Sequence, residues 1–548
     1  MAAPEDVLAR LLRERSAQPL GVDVDEARPS WSHAVTALSA FWVGDFAGCL
    51  AAAERAEQAA GDDLDQVLAI GALGLAGAGV LEVTSRVDWS RAQRLAQQRA
   101  DDDRRWSFAR YLVAEAALDG ARLDVAASLL DGADWASAWV GHPFEVMMRA
   151  TAIRIAAFVG RIDEALAEFE GLATAAERHD ALPLMHAVRV LLTGNADRAA
   201  ETQQQIDALV GAAIAPVDYV GRGVYLLASF GAVSLGDVGQ SAALFLRAGA
   251  GADLDRLTII DRAIGLELLA HAAIAAGDLD AAHAWREQAM PLVEHPISGP
   301  ACHRLLSRIA LAEGDAPAAV EHAERAVEAA RREGRGIEAA EGTILLARAR
   351  IASDEVAEAS RTLRQGVAES DQTGHLAMRR SAGRVLRSAG RRLPPPSSGG
   401  WSVLSPRERE IAELVLSGLE HTAIARRLVL SPQTVRVHVS RVLCAFGVSS
   451  RIGLLATLGP RGDTGRQPPG VLTPRQRAVV ELVAQGYDNA AIAASLGVSV
   501  KAVEKHVGEA LRRWQAASRF DLARLWWLSA FPQGAAQAGG AEGVGGPA

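Results

Sequence analysis

Lysine is almost absent from this chain of 548 residues: 57 side chains are basic, yet only Lys501 and Lys505 are lysines. No lysine stands in a glycine-rich loop of the form G-x-x-x-x-G-K-[ST], so a P-loop that cradles nucleotide phosphates is excluded. Cysteine is nearly as scarce. Cys49, Cys302 and Cys444 are odd in number, far apart and without a C-x-x-C pair, so neither a disulfide framework nor a zinc site is expected. Aromatic residues make up 5% and β-branched runs are short, which, with abundant alanine, favours an all-helical protein. Long apolar runs are missing too. The stretch VLAIGALGLAGAGVL (67–81) is shorter than a membrane span and reads as a buried helix. The start, MAAPEDVLAR, lacks the charged-then-apolar form of a signal peptide, so the expected compartment is the cytoplasm, with no membrane partner. No nucleophile–base grouping or metal-ligand spacing emerges. The scattered His271, His283, His303 and His322 are expected to pack or to face water. No enzyme and no cofactor are expected.

The charge that is present is unevenly spread. Residues 1–400 carry 40 basic and 55 acidic side chains, whereas residues 401–530 carry 17 basic and 10 acidic ones. Nucleic acid would be repelled by the front of the chain and attracted by the back. A chain of this length is expected to divide into two to four domains.

After a segment of about 30 residues, one pattern recurs over 31–392: an apolar helix end, a short Gly/Asp turn, then a helix with alanines at helical spacing. Examples are FVGRIDEALAEFEGL from Phe158, LLTGNADRAAETQQQ from Leu191 and AEGDAPAAVEHAERA from Ala312. Gly120, Gly160, Gly194, Gly236, Gly277 and Gly314 fall 34 to 42 residues apart, a period typical of stacked helical hairpins. Each glycine suits a left-handed helix end, and an Asp after it can cap the next helix. The spacing resembles tetratricopeptide repeats in a degenerate form, and such arrays curl into a concave surface that takes a protein or small molecule. LPPPSSGG (393–400) reads as a linker, GPRGDTGRQPPG (459–470) as a second one, and 531–548 as a disordered tail.

Between the linkers and the tail the chain repeats itself. At a shift of 68 residues, without a gap, Pro406 meets Pro474, Arg407 meets Arg475, Gly418 meets Gly486, Val435 meets Val503, His438 meets His506 and Arg451 meets Arg519. Each copy, 401–458 and 471–530, reads as four helices. Ser405-Pro406 and Thr473-Pro474 open the first helix. Ser431 and Ser499 open a third after a tight turn, which makes a helix-turn-helix.

LSPREREIAELVLSGLEHTAIARRLVLSPQTVRVHVSRVL closely resembles the LuxR-type (GerE-type) DNA-binding domain. The second copy matches in framework but carries Gln476 for Glu408, Ala502 for Thr434 and Glu504 for Arg436. The repeats in front look like the sensor region of MalT-like regulators without their ATPase module. In the first copy, helical spacing turns Val435, Val439, Val442, Leu443 and Phe446 inward and Gln433, Val437, Ser440, Arg441 and Cys444 outward, with Arg436 on the flank. The resemblance implies that Thr434, Arg436, Val437 and Ser440 meet DNA. Gln433 suits adenine, and Arg426 and Arg427 suit phosphates. In the second copy Lys501, Lys505, Gly508, Glu509 and Arg512 are expected outward, with Glu504 beside them.

The resulting expectation is a bacterial transcription regulator in which tandem helix-turn-helix units bind double-stranded promoter DNA as an asymmetric pair. RNA polymerase is an implied partner, the repeat region takes an unidentified small molecule or protein, and a homodimer of whole chains is compatible with this reading. The rival expectation is a helical-repeat adaptor whose C-terminal units contact protein, for which Trp526 and Trp527 would supply a packing surface.

Overall fold

The computed structural model describes the chain except for residues 1, 98–102, 131–135, 250, 252–253, 392, 394–399, 447, 449, 461–469 and 531–548. The expected tail and most of both expected linkers lie outside the described residues. Twenty-eight α-helices and no β-strands occur among those described. No described helix is long and apolar enough to cross a membrane. The apolar run from Val67 is a buried helix, Asp63–Gly77, as expected.

The chain divides into two compact units, Met1–Ser353 with Glu369–Val385, and Asp354–Ala368 with Leu386–Ala548. The division falls before the proline-rich stretch because the helix Val356–Thr373 sends Ala357 into the core of the second unit.

Consecutive helices of the first unit pair as antiparallel hairpins, such as Gly299–Glu313 with Ala316–Arg332 and Tyr219–Leu235 with Val238–Ala248. The turn chemistry follows the Gly/Asp pattern at several joints. Gly160, Gly236, Gly277 and Gly314 have positive φ, and Asp237, Asp278 and Asp315 accept from the backbone N–H three residues on, at 2.9 to 3.1 Å. Two glycines depart from it. At the first of these joints Ala121, not Gly120, takes the left-handed conformation. Gly194 lies inside the helix Leu182–Asn195, where a Cβ would stand 2.9 Å from the Gly231 Cα. Gly194 thus serves the close approach of two backbones, and Asp197 makes the turn.

The array also closes on itself. The helix Pro29–Trp42 touches Tyr219–Leu235, and Glu145–Val159 touches Gly336–Ala352, each five hairpins further along. Arg222 donates to the Trp42 carbonyl at 3.0 Å, and Arg335 spans the second closure with bonds to the carbonyls of Ala121 and Ile297. One continuous core results, into which the first helix, Pro4–Arg13, inserts Val7, Leu8 and Leu11. The expected open concave surface is therefore an enclosed interior: side chains of opposite hairpins meet across it.

Candidate nucleic-acid interface

Each C-terminal copy is built by the same local devices. Ser405 and Thr473 close capping boxes with Glu408 and Gln476, and proline follows at the first helical position. The short second helices are His421–Leu428 and Asn489–Leu496. Two arginines per copy then fix the helices to one another. Arg407 and Arg475 donate to the carbonyls of Leu428 and Leu496, at 2.5 and 2.7 Å, satisfying the end of each second helix. Arg451 and Arg519 donate to the carbonyls of Leu419 and Tyr487, at 2.8 and 2.5 Å. Sequence reasoning placed these four residues in register without assigning them this work. Their persistence between divergent copies was the signal.

The third helix of the first copy, Pro432–Ala445, buries Val435, Val439 and Val442 and half-buries Leu443 and Phe446. Gln433, Arg436, Val437, Ser440, Arg441 and Cys444 are exposed along its other side. Arg436 donates to Gln433 at 3.3 Å, a contact between two exposed side chains. Thr434 is half-buried, and its hydroxyl bonds to that of Ser431, the residue that caps the helix. Arg426 and Arg427, at the end of the preceding helix, are exposed and form no ion pair among the described residues. The turn between these helices passes through Val429, a β-branched residue in the left-handed conformation (φ 54°) where the second copy has Gly497 (φ 61°).

Arg441 reaches back to the first helix, 3.4 Å from Glu408, and His438 stands 3.5 Å from the same carboxylate. Donation from the Ser405 hydroxyl and backbone N–H, then from Arg441 and His438, holds the Glu408 carboxyl down at about 2. In the second copy the corresponding columns hold Gln476 and Glu509, bonded at 3.0 Å. Glu509, expected outward, is half-buried with this bond, and Gly508, also expected outward, is half-buried beside it. Lys501, Glu504, Lys505 and Arg512 are exposed on the third helix, Val500–Arg513, whose Val503, Val507 and Ala510 are buried. Trp526 and Trp527 are half-buried and engaged within their own copy. Trp526 stacks with Trp514 at 6.3 Å, and Trp527 donates to the Ala484 carbonyl at 3.1 Å.

The two copies also pack on each other, in a reciprocal manner. Gly418 and Gly486 end the equivalent first helices. A Cβ on Gly418 would lie 3.3 Å from Arg524, in the fourth helix of the second copy. One on Gly486 would lie 3.7 Å from Gly453, in the fourth helix of the first. The Arg451 guanidinium sits 4.5 Å over the Phe520 ring, a cation–π contact between the copies. An exchange in which each first-helix end meets the other's fourth helix is the mark of an approximate two-fold relation.

Residues 402–457 and 470–526 each match the family described as bacterial regulatory proteins, luxR family. Both are LuxR-type helix-turn-helix domains. An HTH-type transcriptional regulator of Mycobacterium bovis is 39% identical over 77 residues, which are 14% of this chain and 8% of that one. A counterpart in Mycobacterium tuberculosis gives the same figures. The nitrate/nitrite response regulator protein NarL of Escherichia coli is 45% identical over 49 residues, 9% of this chain and 23% of NarL. The match thus spans less than a tenth of the length of the mycobacterial relatives. Among solved structures, the anaphase-promoting complex hetero-tetramer Cut9–Hcn1 aligns with 70% of this chain and 77% of its own, at 12% identity and a TM-score of 0.36.

Proposed function

We propose that the chain is a bacterial, cytoplasmic regulator of transcription whose two C-terminal copies read the two parts of one promoter site through the major groove. The observation that carries this reading is the pair of third helices, each turning a polar, cationic face outward while its valines fill a core. In the first copy Arg436 grips a phosphate or guanine, Gln433 an adenine and Val437 a thymine methyl, flanked by Thr434, Ser440 and Arg441. Arg426 and Arg427 reach phosphates. In the second copy Lys501, Lys505 and Arg512 supply the cations, and Glu504 accepts from a cytosine amino group, so the two copies read different bases. Their reciprocal packing supports docking as an asymmetric pair, the second contact being intramolecular at an effective concentration on the order of millimolar. The repeats, residues 31–392 up to the linker at 393–400, sense a small molecule or protein, and RNA polymerase is the machinery acted upon.

The test is retention of promoter-derived duplexes by the full chain at rising salt. Several arginine and lysine contacts to phosphate should weaken binding by orders of magnitude between about 50 and 200 mM salt. Weak retention that is indifferent to salt would leave the adaptor reading in its place.

A further inference from the structure

A cavity of about 110 Å³ lies inside the closed hairpin array, and two helices run along it. Tyr219–Leu235 contributes Tyr219, Gly223, Leu226 and Phe230, and Ile259–Ala275 contributes Asp261, Ile264 and Leu268. The spacing puts each set on one helical face. Both walls therefore begin polar, at Tyr219 and Asp261, and continue apolar.

Asp119, the last residue of the helix Arg104–Asp119, joins the polar end, with its two oxygens 3.3 and 3.1 Å from the Tyr219 hydroxyl. That contact does not satisfy it. A phenol has one proton to donate, and Tyr219 stands closer to Glu115, at 2.5 Å. Glu115 also accepts from Thr151 and Arg154, and Arg154 turns its other nitrogen to Tyr219. With the Tyr219 proton committed to Glu115, Asp119 has no donor of its own and no ion pair among the described residues, although it is only 5% exposed. It sits at the negative end of a helix. Burial, and after it the Glu115 charge, raises its carboxyl well above the usual carboxylate range. Asp261, whose charge also reaches Asp119, accepts from the Thr258 hydroxyl at 2.8 Å. Arg222 acts on Asp261 but gives its hydrogen bonds to the carbonyls of Val217 and Trp42. The other arginines of the wall, Arg304 and Arg335, are paired with Glu267, Glu338 and Glu333. The chain accommodates Asp119 by leaving it protonated. A cation in the cavity would supply the compensation that the fold does not.

We propose that this cavity binds a small amphipathic cation, its ammonium head against Asp119 and Asp261 and its apolar body along Leu226, Phe230, Ile264 and Leu268. On binding, Asp119 releases its proton to solvent and pairs with the head. An apolar cavity of about 150 Å³ admits benzene, so this one has room for an alkyl chain of roughly four carbons. The proposal rests on the sensing role given above to the repeats and names the chemistry sensed. An anion of the same shape is refused by the carboxyls, and a neutral alcohol gains no ion pair.

Titration calorimetry of the full chain with butylammonium, 1-butanol and butyrate tests it. Butylammonium should bind, 1-butanol more weakly, and butyrate not at all. Asp119→Asn, which keeps the shape and removes the charge, should weaken butylammonium by at least about tenfold, the usual worth of one charge-assisted bond. Gly223→Leu offers a second variant. Gly223 lines the cavity between Tyr219 and Leu226, and nothing lies within 4 Å of where its Cβ would be. The added side chain should exclude butylammonium without lowering the thermal midpoint of the free protein. Equal binding of 1-butanol or butyrate, an unaffected Asp119→Asn variant, or no binding of butylammonium would overturn the proposal. If butylammonium binds as described but duplex retention does not change with it, the site stands and the sensing role falls.

Discussion

Arg441 stands 3.4 Å from Glu408 in the first copy, and in the second copy the same two columns are joined at 3.0 Å as Glu509 and Gln476. The polarity is reversed and the connection is kept. In both copies a polar contact runs from the third helix to the first turn of the first helix, so the outward face is held against a fixed support. The charge differences between the copies are in part this internal exchange. Arg436 and Glu504 differ at an exposed position and have no such explanation.

The support in the first copy should depend on pH. Glu408 titrates near 2 in the folded copy, below the ordinary carboxylate value of 4.5. Its contribution is complete above the unfolded value and is lost as pH falls from about 4.5 towards 2. Glu408→Gln, which installs the residue of the second copy, should keep the capping bond yet flatten the stability profile in that window. Urea midpoints of both proteins at several pH values check it. Parallel profiles would contradict it.

Val429 is 91% exposed and left-handed. Replacement by glycine therefore forfeits no burial and removes backbone strain worth roughly 1–2 kcal/mol, against a loss of about 0.4–1 kcal/mol through the freer unfolded chain. Val429→Gly should raise the stability of the second unit by about 0.5–1 kcal/mol, read as a higher denaturation midpoint.

Glycine-to-alanine changes should have opposite signs at two helical positions of the repeats. At Gly194 the added methyl meets the Gly231 backbone at 2.9 Å, so overpacking costs about 1–3 kcal/mol. At Gly223, with open space around it, the same change should stabilise the helix by roughly 0.5–1 kcal/mol. Thermal unfolding of the two variants checks the pair.

Reciprocal packing of the copies makes a prediction about the DNA. Two domains fixed against each other tolerate only one spacing and phase of their target halves. Inserting about 5 base pairs, half a turn, between the halves should therefore reduce affinity to that of a single half. Freely tethered domains would bind almost as before. Gel retardation on the two duplexes distinguishes these outcomes.

Much of this was legible in the sequence. The helical class, the hairpin period and the two copies followed from composition, glycine spacing and one gapless register, and the inward and outward faces of Pro432–Ala445 followed from helical geometry alone. What escaped was set by contacts remote in sequence. Nothing in the local pattern separates Gly194 from the turn glycines, since its partner Gly231 belongs to another hairpin. Glu509 looked outward until Gln476 was placed beside it. The closure of the array depends on Arg222 and Arg335 meeting carbonyls far along the chain, which no repeat period encodes. Ala357 stands well before the expected boundary at 393, and its place in the core of the second unit is again a contact remote in sequence.

The central claim is that both copies touch DNA, each at its own bases. Hydroxyl-radical footprinting of the full chain on a bound promoter fragment, with Arg436→Ala and Lys505→Ala as separate variants, tests it most directly. Each exposed residue should take protection from a different half of the footprint and weaken binding. A footprint left unchanged by Lys505→Ala, or lost from the same half in both variants, would contradict it.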